Sequence, residues 1–322
     1  MSAPKLLVTG ATGEAGRFIT KALAQAGYAI RAQYNRAPGE TAGEASGVEW
    51  VQHNFLESLD VGRLTEGCDG VVHLAAALSA SDQMDRLNVQ ATAALAKAAQ
   101  GAGANLFAHA SSIVVYGSPL NPVVTEDSPL LDPAKPIEKQ YFAEPYMRDY
   151  ARTKVLGEEA LRALNLNMAV VLLRPGVVAD ESRLLESADW GRGRRLFALY
   201  RLTQYIAAAD AAAAIVHLVK RGLSGGPGVE AYNIVDETSG TFRDLHKVAF
   251  AATADPRFKY GFDLPVIVDV AKDLARFKTL PMRYPLGMLR LSAAKLRATG
   301  FVAPLGFSAA LRAAVAARLA AA

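Results

Sequence analysis

One cysteine, Cys68, stands among the 322 residues of this chain, so an internal disulfide and a cysteine-built metal cluster are both excluded. The lack of disulfides fits a reducing, cytoplasmic setting. Histidine is scarce too. His53, His73, His109, His217 and His246 show no H-E-x-x-H or similar ligand spacing, so each reads as a satisfied structural histidine and no metal is expected. The net charge is only +4, and no run of Lys or Arg resembles a nucleic-acid tail. The densest basic patch, Arg192, Arg194, Arg195 and Arg201 around two glycines, reads as an exposed loop ahead of a contact for an anionic substrate. Long apolar runs are missing as well: Ala207–Val219 is broken by Asp210 and His217 and is too short to span a bilayer. An apolar strand starts right after residue 4, which leaves no room for a signal peptide. Nucleic acid and membrane are therefore not expected partners.

What remains is an ordinary globular composition, 51% hydrophobic and 20% charged, in a chain long enough for one large domain or two intimate ones. Short apolar runs at Leu6–Val8, Tyr28–Tyr34, Val48–Asn54, Gly70–Leu74, Asn105–Ala110 and Met168–Arg174 alternate with helix-length segments. Several runs are continuously apolar, as parallel strands covered on both faces require. In Glu14–Ala26 the residues Phe18, Ile19, Ala22, Leu23 and Ala26 recur at helical spacing and Gly27 supplies the stop; residues 86–100 and 146–164 repeat the pattern. The alternation predicts an α/β fold, a doubly wound parallel sheet of the Rossmann type.

The regularity breaks twice. Residues 117–145 carry Pro119, Pro122, Pro129, Pro133, Pro136 and Pro145, which predicts a long loop that walls a substrate pocket. After Pro175 the pattern turns irregular, and residues 237–322 read as mainly helical. The expected division is a dinucleotide-binding domain over 1–175, with a return segment around 202–236 and a strand at Tyr232–Val235. A smaller, mainly helical C-terminal substrate domain takes 176–201 and 237–322.

The start of the chain holds the strongest motif. Leu6, Leu7 and Val8 run into Gly10, Gly13 and Gly16, where a helix opens. Glycines at these places permit a tight turn, let the backbone approach a pyrophosphate, and let helix pack on strand. The free N–H groups of the helix start then face the negative charge. Tyr150 and Lys154, one helical turn apart, lie on one face. Hydride movement at a carbon needs matching proton transfer at oxygen. A phenol of pKa about 10 is a poor base at neutral pH. A neighbouring ammonium favours the phenolate, so the Tyr150 pKa is expected to fall.

These residues resemble the extended short-chain dehydrogenase/reductases, the NAD-dependent epimerase/dehydratase family, over nearly the whole chain. The cofactor motif is matched by Thr9-Gly10-Ala11-Thr12-Gly13-Glu14-Ala15-Gly16, and the fourth-strand end by Val71-Val72-His73-Leu74-Ala75-Ala76. Asn88-Val89-Gln90-Ala91-Thr92 resembles the helix motif that follows, Ser111-Ser112-Ile113-Val114-Val115-Tyr116-Gly117 the catalytic serine segment, and Tyr150-Ala151-Arg152-Thr153-Lys154 the catalytic helix. Leu173-Arg174-Pro175-Gly176 resembles the strand exit beyond it. The resemblance implies that Tyr150 is the acid–base, that Lys154 also holds the nicotinamide ribose, that Ser112 positions the substrate oxygen, and that Asn88 orders the region. It implies cofactor contacts from Gly10 through Gly16, including Thr12, Gly13, Glu14 and Ala15. Further contacts would come from Leu74, Ala75 and Ala76, from Tyr150 and Lys154, and from Pro175, Val177 and Val178. A small-molecule substrate and a homodimer are the partners it implies.

The end of the second strand bears on the cofactor. An acid there would take the ribose diol of NAD, whereas arginine accommodates the 2′-phosphate of NADP. The segment Ile30-Arg31-Ala32-Gln33-Tyr34-Asn35-Arg36 has no acid. NADP is therefore expected, through Arg36 or Arg31, with NAD the alternative. Asn54, followed by Phe55, stands where the family usually has an adenine-contacting Asp, and its carbonyl still accepts hydrogen bonds. Sugar-nucleotide 4,6-dehydratases carry an Asp-Glu pair after the catalytic serine. Here Ile113 and Val114 cannot move protons, which argues against dehydration. The expected activity is an NADP(H)-linked interconversion of a carbonyl and a hydroxyl on a small organic substrate. A nucleotide-sugar epimerase with tightly bound NAD is the alternative, and a non-catalytic NADP-binding sensor or scaffold is disfavoured because such relatives lose the tyrosine–lysine pair.

Overall fold

The structure, a computed structural model, describes residues 3–35, 47–78, 81–135, 145–259, 271 and 286–320. In chain order its strands are β1 (Lys5–Thr9), β2 (Ala29–Tyr34), β3 (Val48–Gln52), β4 (Gly70–His73), β5 (Leu106–Ala110), β6 (Val123–Val124), β7 (Ala169–Pro175), β8 (Val177–Ala179), β9 (Tyr205–Ala207), β10 (Gly228–Ile234) and β11 (Arg290–Leu291). Seven of them form one sheet in the order β10-β7-β5-β4-β1-β2-β3. All of its pairings are parallel. The doubly wound α/β architecture is thus the one the sequence predicts, and the expected return strand is β10.

Strand alternation explains why the sheet is covered on both sides. Leu6, Val8, Val72, Leu106, Ala108, Val171 and Leu173 face one core, together with Ile19 and Leu23 of α1 (Glu14–Gln25). Leu7, Val71, Phe107, Val170 and Leu172 face the other core. Each fully buried Leu or Val contributes about 1.5–3 kcal/mol relative to exposure. Residues of one four-residue strand therefore commit to opposite helical layers, and a one-residue slip would exchange them.

Further helices are α2 (Gly62–Thr65), α3 (Ser81–Met84), α4 (Thr92–Gly101), α5 (Pro145–Ala163), α6 (Glu181–Leu184), α7 (Arg192–Ala198), α8 (Ala208–Leu223) and α9 (Phe242–Thr253), with a terminal helix at Phe307–Ala320. Two expectations are corrected here. The helix predicted over 86–100 opens as a wide π-helical segment, Asp85–Ala91, before α4 takes over. The arginine patch is not a loop: Arg192–Ala198 is helical, and the Arg194 guanidinium lies 4.0 Å above the Trp190 ring, a cation–π contact. Within the proline-rich stretch β6 pairs with β11, while residues 136–144 lie outside the described residues.

Beyond the end of β7 the chain forms a two-stranded parallel sheet from β8 and β9. A separate apolar cluster surrounds it, built from Leu184, Leu185, Tyr205, Leu245, Phe258, Phe307 and Leu311. Among the described residues no helix is long and apolar enough to cross a membrane.

Candidate active site

The strand order reverses direction at β1, which lies between β2 and β4, and open α/β sheets bind ligands in the crevice at such a switch point. The glycine turn sits there. Gly10 has φ +64°, and a Cβ on it would come within 2.7 Å of the Ala75 backbone nitrogen. A Cβ on Gly16 would overlap the Gly10 carbonyl oxygen. Any side chain at either place would push the turn open, so glycine is what lets the turn pack against the β4 exit and the α1 start. Thr9 links it to the β4 exit, since its Oγ1 accepts a hydrogen bond from Ala75 N at 3.3 Å and its carbonyl accepts one from Leu74 N at 3.2 Å. Thr12, Gly13, Glu14 and Ala76 are exposed at the rim, with Ala15 and Leu74 half-buried.

Gln33, which sequence reasoning passed over, locks this turn. Its Oε1 accepts from Gly10 N at 2.9 Å, and its Nε2 donates to the His53 carbonyl at 2.6 Å. Its side chain is buried. It lies in β2 two residues after Arg31, and its sequence signal is no more than a polar residue next to the apolar Ile30 and Ala32.

Arg31 is corrected. Its Nη1 donates to the carbonyls of Leu64 at 2.9 Å and Glu66 at 2.8 Å, and its Nε donates to Glu49 Oε1 at 2.9 Å. The guanidinium closes the C-terminal end of α2. Arg36 lies outside the described residues. The Asn54 side-chain Oδ1 accepts from Leu56 N at 3.0 Å, while Phe55 is buried edge-on against His53 and His73.

Ser112, Tyr150 and Lys154 come together. Ser112 caps a short 3₁₀ turn, Ile113–Tyr116, by accepting from Val114 N at 3.4 Å, and it hydrogen-bonds the Tyr150 phenol. Lys154 is buried; its Nζ donates to the Ala110 carbonyl at 2.6 Å and stands 5.6 Å from the centre of the Tyr150 ring. The expected fall in the Tyr150 pKa is also corrected. Burial pushes the phenol up to about 12, and the Ser112 hydrogen bond offsets only part of this. Burial pulls the Lys154 ammonium down to about 8, while the Glu158 carboxylate one turn further on holds it up.

Asn88 sits in the π-helical segment and bridges two elements. It accepts from Ala77 N at 2.8 Å, donates to the Ala77 carbonyl at 3.0 Å, and donates to Thr153 Oγ1 at 3.0 Å. It thereby ties the loop after β4 to the helix that carries Tyr150 and Lys154. Of the histidines, His73 lies 2.7 Å from Thr9 Oγ1 and 3.0 Å from Thr92 Oγ1. His246 lies 2.9 Å from Ser187 Oγ. His109 departs from the expectation: both ring nitrogens are buried with no partner among the described residues, although the ring stacks on His73 at 5.5 Å.

A cavity of about 410 Å³ joins these parts. Ser112, Tyr150, Ile113 and Val114 line one side, Glu14 and Ala15 of the α1 start another, and Val177 and Val178 of β8 a third. Pro175, at the β7 exit, is half-buried beside them. Among the described residues no cluster of His, Cys, Asp or Glu is arranged to hold a metal. Two further residues of the cavity wall, Asp180 and Arg183, had no sequence signal.

The fold defines a doubly wound α/β protein of the dinucleotide-binding type. Ser112 and Tyr150 share one cavity with Glu14 and Ala15 of the α1 start, and the buried Lys154 lies behind the Tyr150 ring. The chain belongs to the NAD dependent epimerase/dehydratase family, whose sequence model matches residues 6–234. An uncharacterised protein of Sinorhizobium fredii is 27% identical over 93% of this chain and 67% of its own length. UDP-glucose 4-epimerase of Streptomyces lividans is 29% identical over 39% of this chain and 41% of its own, and ceramide reductase of Caulobacter vibrioides 28% over 51% and 44%. The matched stretches thus span less than half of those two enzymes. Among solved structures, a short-chain dehydrogenase/reductase superfamily protein from Agrobacterium tumefaciens with bound NAD shares the fold. Its TM-score is 0.74 and its identity 24%, covering 98% of each chain.

Proposed function

We propose that this protein is an NAD(P)-dependent oxidoreductase that reduces a carbonyl to a hydroxyl on a small organic substrate, with Tyr150 as the proton donor. The observation that carries this reading is the Tyr150 phenol itself, hydrogen-bonded to Ser112 in the wall of the cavity and pushed up to about 12. Such a phenol stays protonated throughout the neutral range, which suits an acid that protonates a developing alkoxide better than a base that must first lose its proton. Ser112 orients the substrate oxygen toward the phenol. Lys154, anchored on the Ala110 carbonyl, places positive charge next to the ring. The glycine turn, the α1 start and the residues of the β4 exit would hold the dinucleotide, which supplies the hydride when bound. NADP is the form proposed, through Arg36, and residues 1–175 with 202–236 are proposed as the dinucleotide-binding unit.

Likeness to a UDP-glucose 4-epimerase supports a second reading, epimerisation with retained NAD. Denaturing the purified protein and measuring released nucleotide separates the two. Net oxidation of added NADPH with a carbonyl panel and little released nucleotide supports the reductase. Near-stoichiometric released NAD with no net redox change overturns it.

A further inference from the structure

Two ion pairs cross the cleft between the α1 start and the segment that follows β8. Arg183 Nη1 lies 2.8 Å from Glu14 Oε1, and Arg17 Nη2 lies 3.2 Å from Asp180 Oδ2. Glu14 is the first residue of α1, next to the glycine turn, and places a carboxylate at the positive end of a 12-residue helix. Asp180 caps α6 by accepting from Arg183 N at 3.0 Å, which fixes where the Arg183 side chain starts. The Arg183 guanidinium is half engaged. Its Nη1 is taken by Glu14, while its Nε is buried and finds no partner among the described residues. Glu14, Asp180 and Arg183 all line the cavity that contains Ser112 and Tyr150.

We infer that Arg183 is a diphosphate-binding residue of this cavity, and that the Glu14 carboxylate is an internal anion which the diphosphate displaces from it. An arginine fork holding one carboxylate oxygen matches the geometry of a phosphate oxygen equally well. Glu14 sits where an incoming diphosphate would meet the N–H groups of the α1 start, so the two anions compete for the same guanidinium and the same helix end. The inference rests on the dinucleotide reading above and adds to it a residue outside the glycine motif, together with an opposing charge within that motif.

The test is the affinity of NADPH, NADH and ADP-ribose for the wild-type, Glu14→Gln, Arg183→Gln and Arg183→Lys proteins, read by ligand fluorescence or calorimetry at low salt. Loss of a charge-assisted contact in Arg183→Gln should weaken all three ligands about tenfold. Glu14→Gln removes the competitor and should tighten them about threefold, an effect that shrinks as salt screens the exposed pair. Arg183→Lys should fall in between, and melting curves establish that each variant is folded. A purely structural strap predicts that Glu14→Gln and Arg183→Gln weaken binding together. That result, or unchanged affinity in Arg183→Gln, overturns the inference while leaving the dinucleotide reading intact. A wild-type protein that binds none of the three overturns both.

Discussion

Glu158 grips Arg174 through both carboxylate oxygens, at 2.9 Å from Nε and 2.7 Å from Nη2, and both side chains are buried. The pair joins α5 to β7 just one turn beyond Lys154. Ser111 donates to the same carboxylate at 2.6 Å, so the strand exit before Ser112 is held by it too. On the far side, Arg174 donates to the Tyr116 hydroxyl at 2.9 Å, and Tyr116 donates to Asn233 of β10 at 2.6 Å. One buried network therefore sets the mutual position of α5, the Ser112 turn and the sheet edge. The guanidinium holds the Glu158 carboxyl below the usual carboxylate range even though burial pushes the other way.

Removing one partner of such a pair leaves the other charge buried and unmatched. Glu158→Gln should therefore destabilise the protein by roughly 3–5 kcal/mol, read by denaturant unfolding. The same variant removes the carboxylate that holds the Lys154 ammonium up, so the alkaline limb of the activity profile should move to lower pH. A variant with wild-type stability would mean that the network carries no net energy.

The acid side is governed by histidines buried in neutral form. Burial lowers His73 from 6.5 to about 3 and His246 to about 4. Between those values and 6.5 the unfolded chain takes up protons that the folded chain refuses, so stability falls as pH falls through this window. Melting temperature should drop steadily from pH 7 to pH 4 (about three units). His246→Asn, which cannot titrate and can still meet Ser187, should flatten part of that slope. An unchanged slope would remove His246 from the account.

Much of this architecture was legible in the sequence because strand residues such as Leu6, Leu7 and Val8 announce their burial locally, and because Gly10 and Gly16 stand where any side chain would clash. Tyr150 and Lys154 were legible for the same reason, since one helical turn fixes their common face. Gln33, Arg183 and the Glu158–Arg174 pair were not. Arg183 meets Glu14 across 169 positions, and no local periodicity encodes such a meeting. The π-helical segment Asp85–Ala91 also escaped, because its apolar spacing resembles that of an α-helix and the widening lies in the backbone alone. The direction of the Tyr150 pKa depended on burial, which a helix pattern does not reveal.

The proposed NADP preference rests on Arg36, since Arg31 donates to the carbonyls at the end of α2. Arg36→Ala should cost NADPH about 1.5–3 kcal/mol of binding, roughly tenfold to over a hundredfold, with NADH unaffected. Arg31→Ala should leave the NADPH-to-NADH ratio unchanged and lower the melting temperature, since it strips the end of α2. Titration of both cofactors against both variants checks this, and equal affinities in the wild-type protein would sink the NADP assignment.

In the proposed mechanism Tyr150 is the proton donor, and three substitutions test that assignment. Tyr150→Phe removes only the phenolic oxygen and leaves the glycine turn untouched. If Tyr150 is the proton donor, turnover should fall by roughly 10²–10⁴-fold while dinucleotide affinity stays almost the same. Lys154→Met removes the buried ammonium that contacts the Ala110 carbonyl, so it should lower turnover further and weaken the dinucleotide as well. The Lys154 ammonium sits at about 8 in the folded protein, so wild-type activity that depends on its charge should decline as pH rises past that value. Ser112→Ala should act through the same atom, because it removes the hydrogen bond that lowers the phenol's pKa. A pair on an inert surface would give near-neutral variants throughout, within about 0.5 kcal/mol. Wild-type turnover in Tyr150→Phe would leave the fold and the family standing and take away the acid.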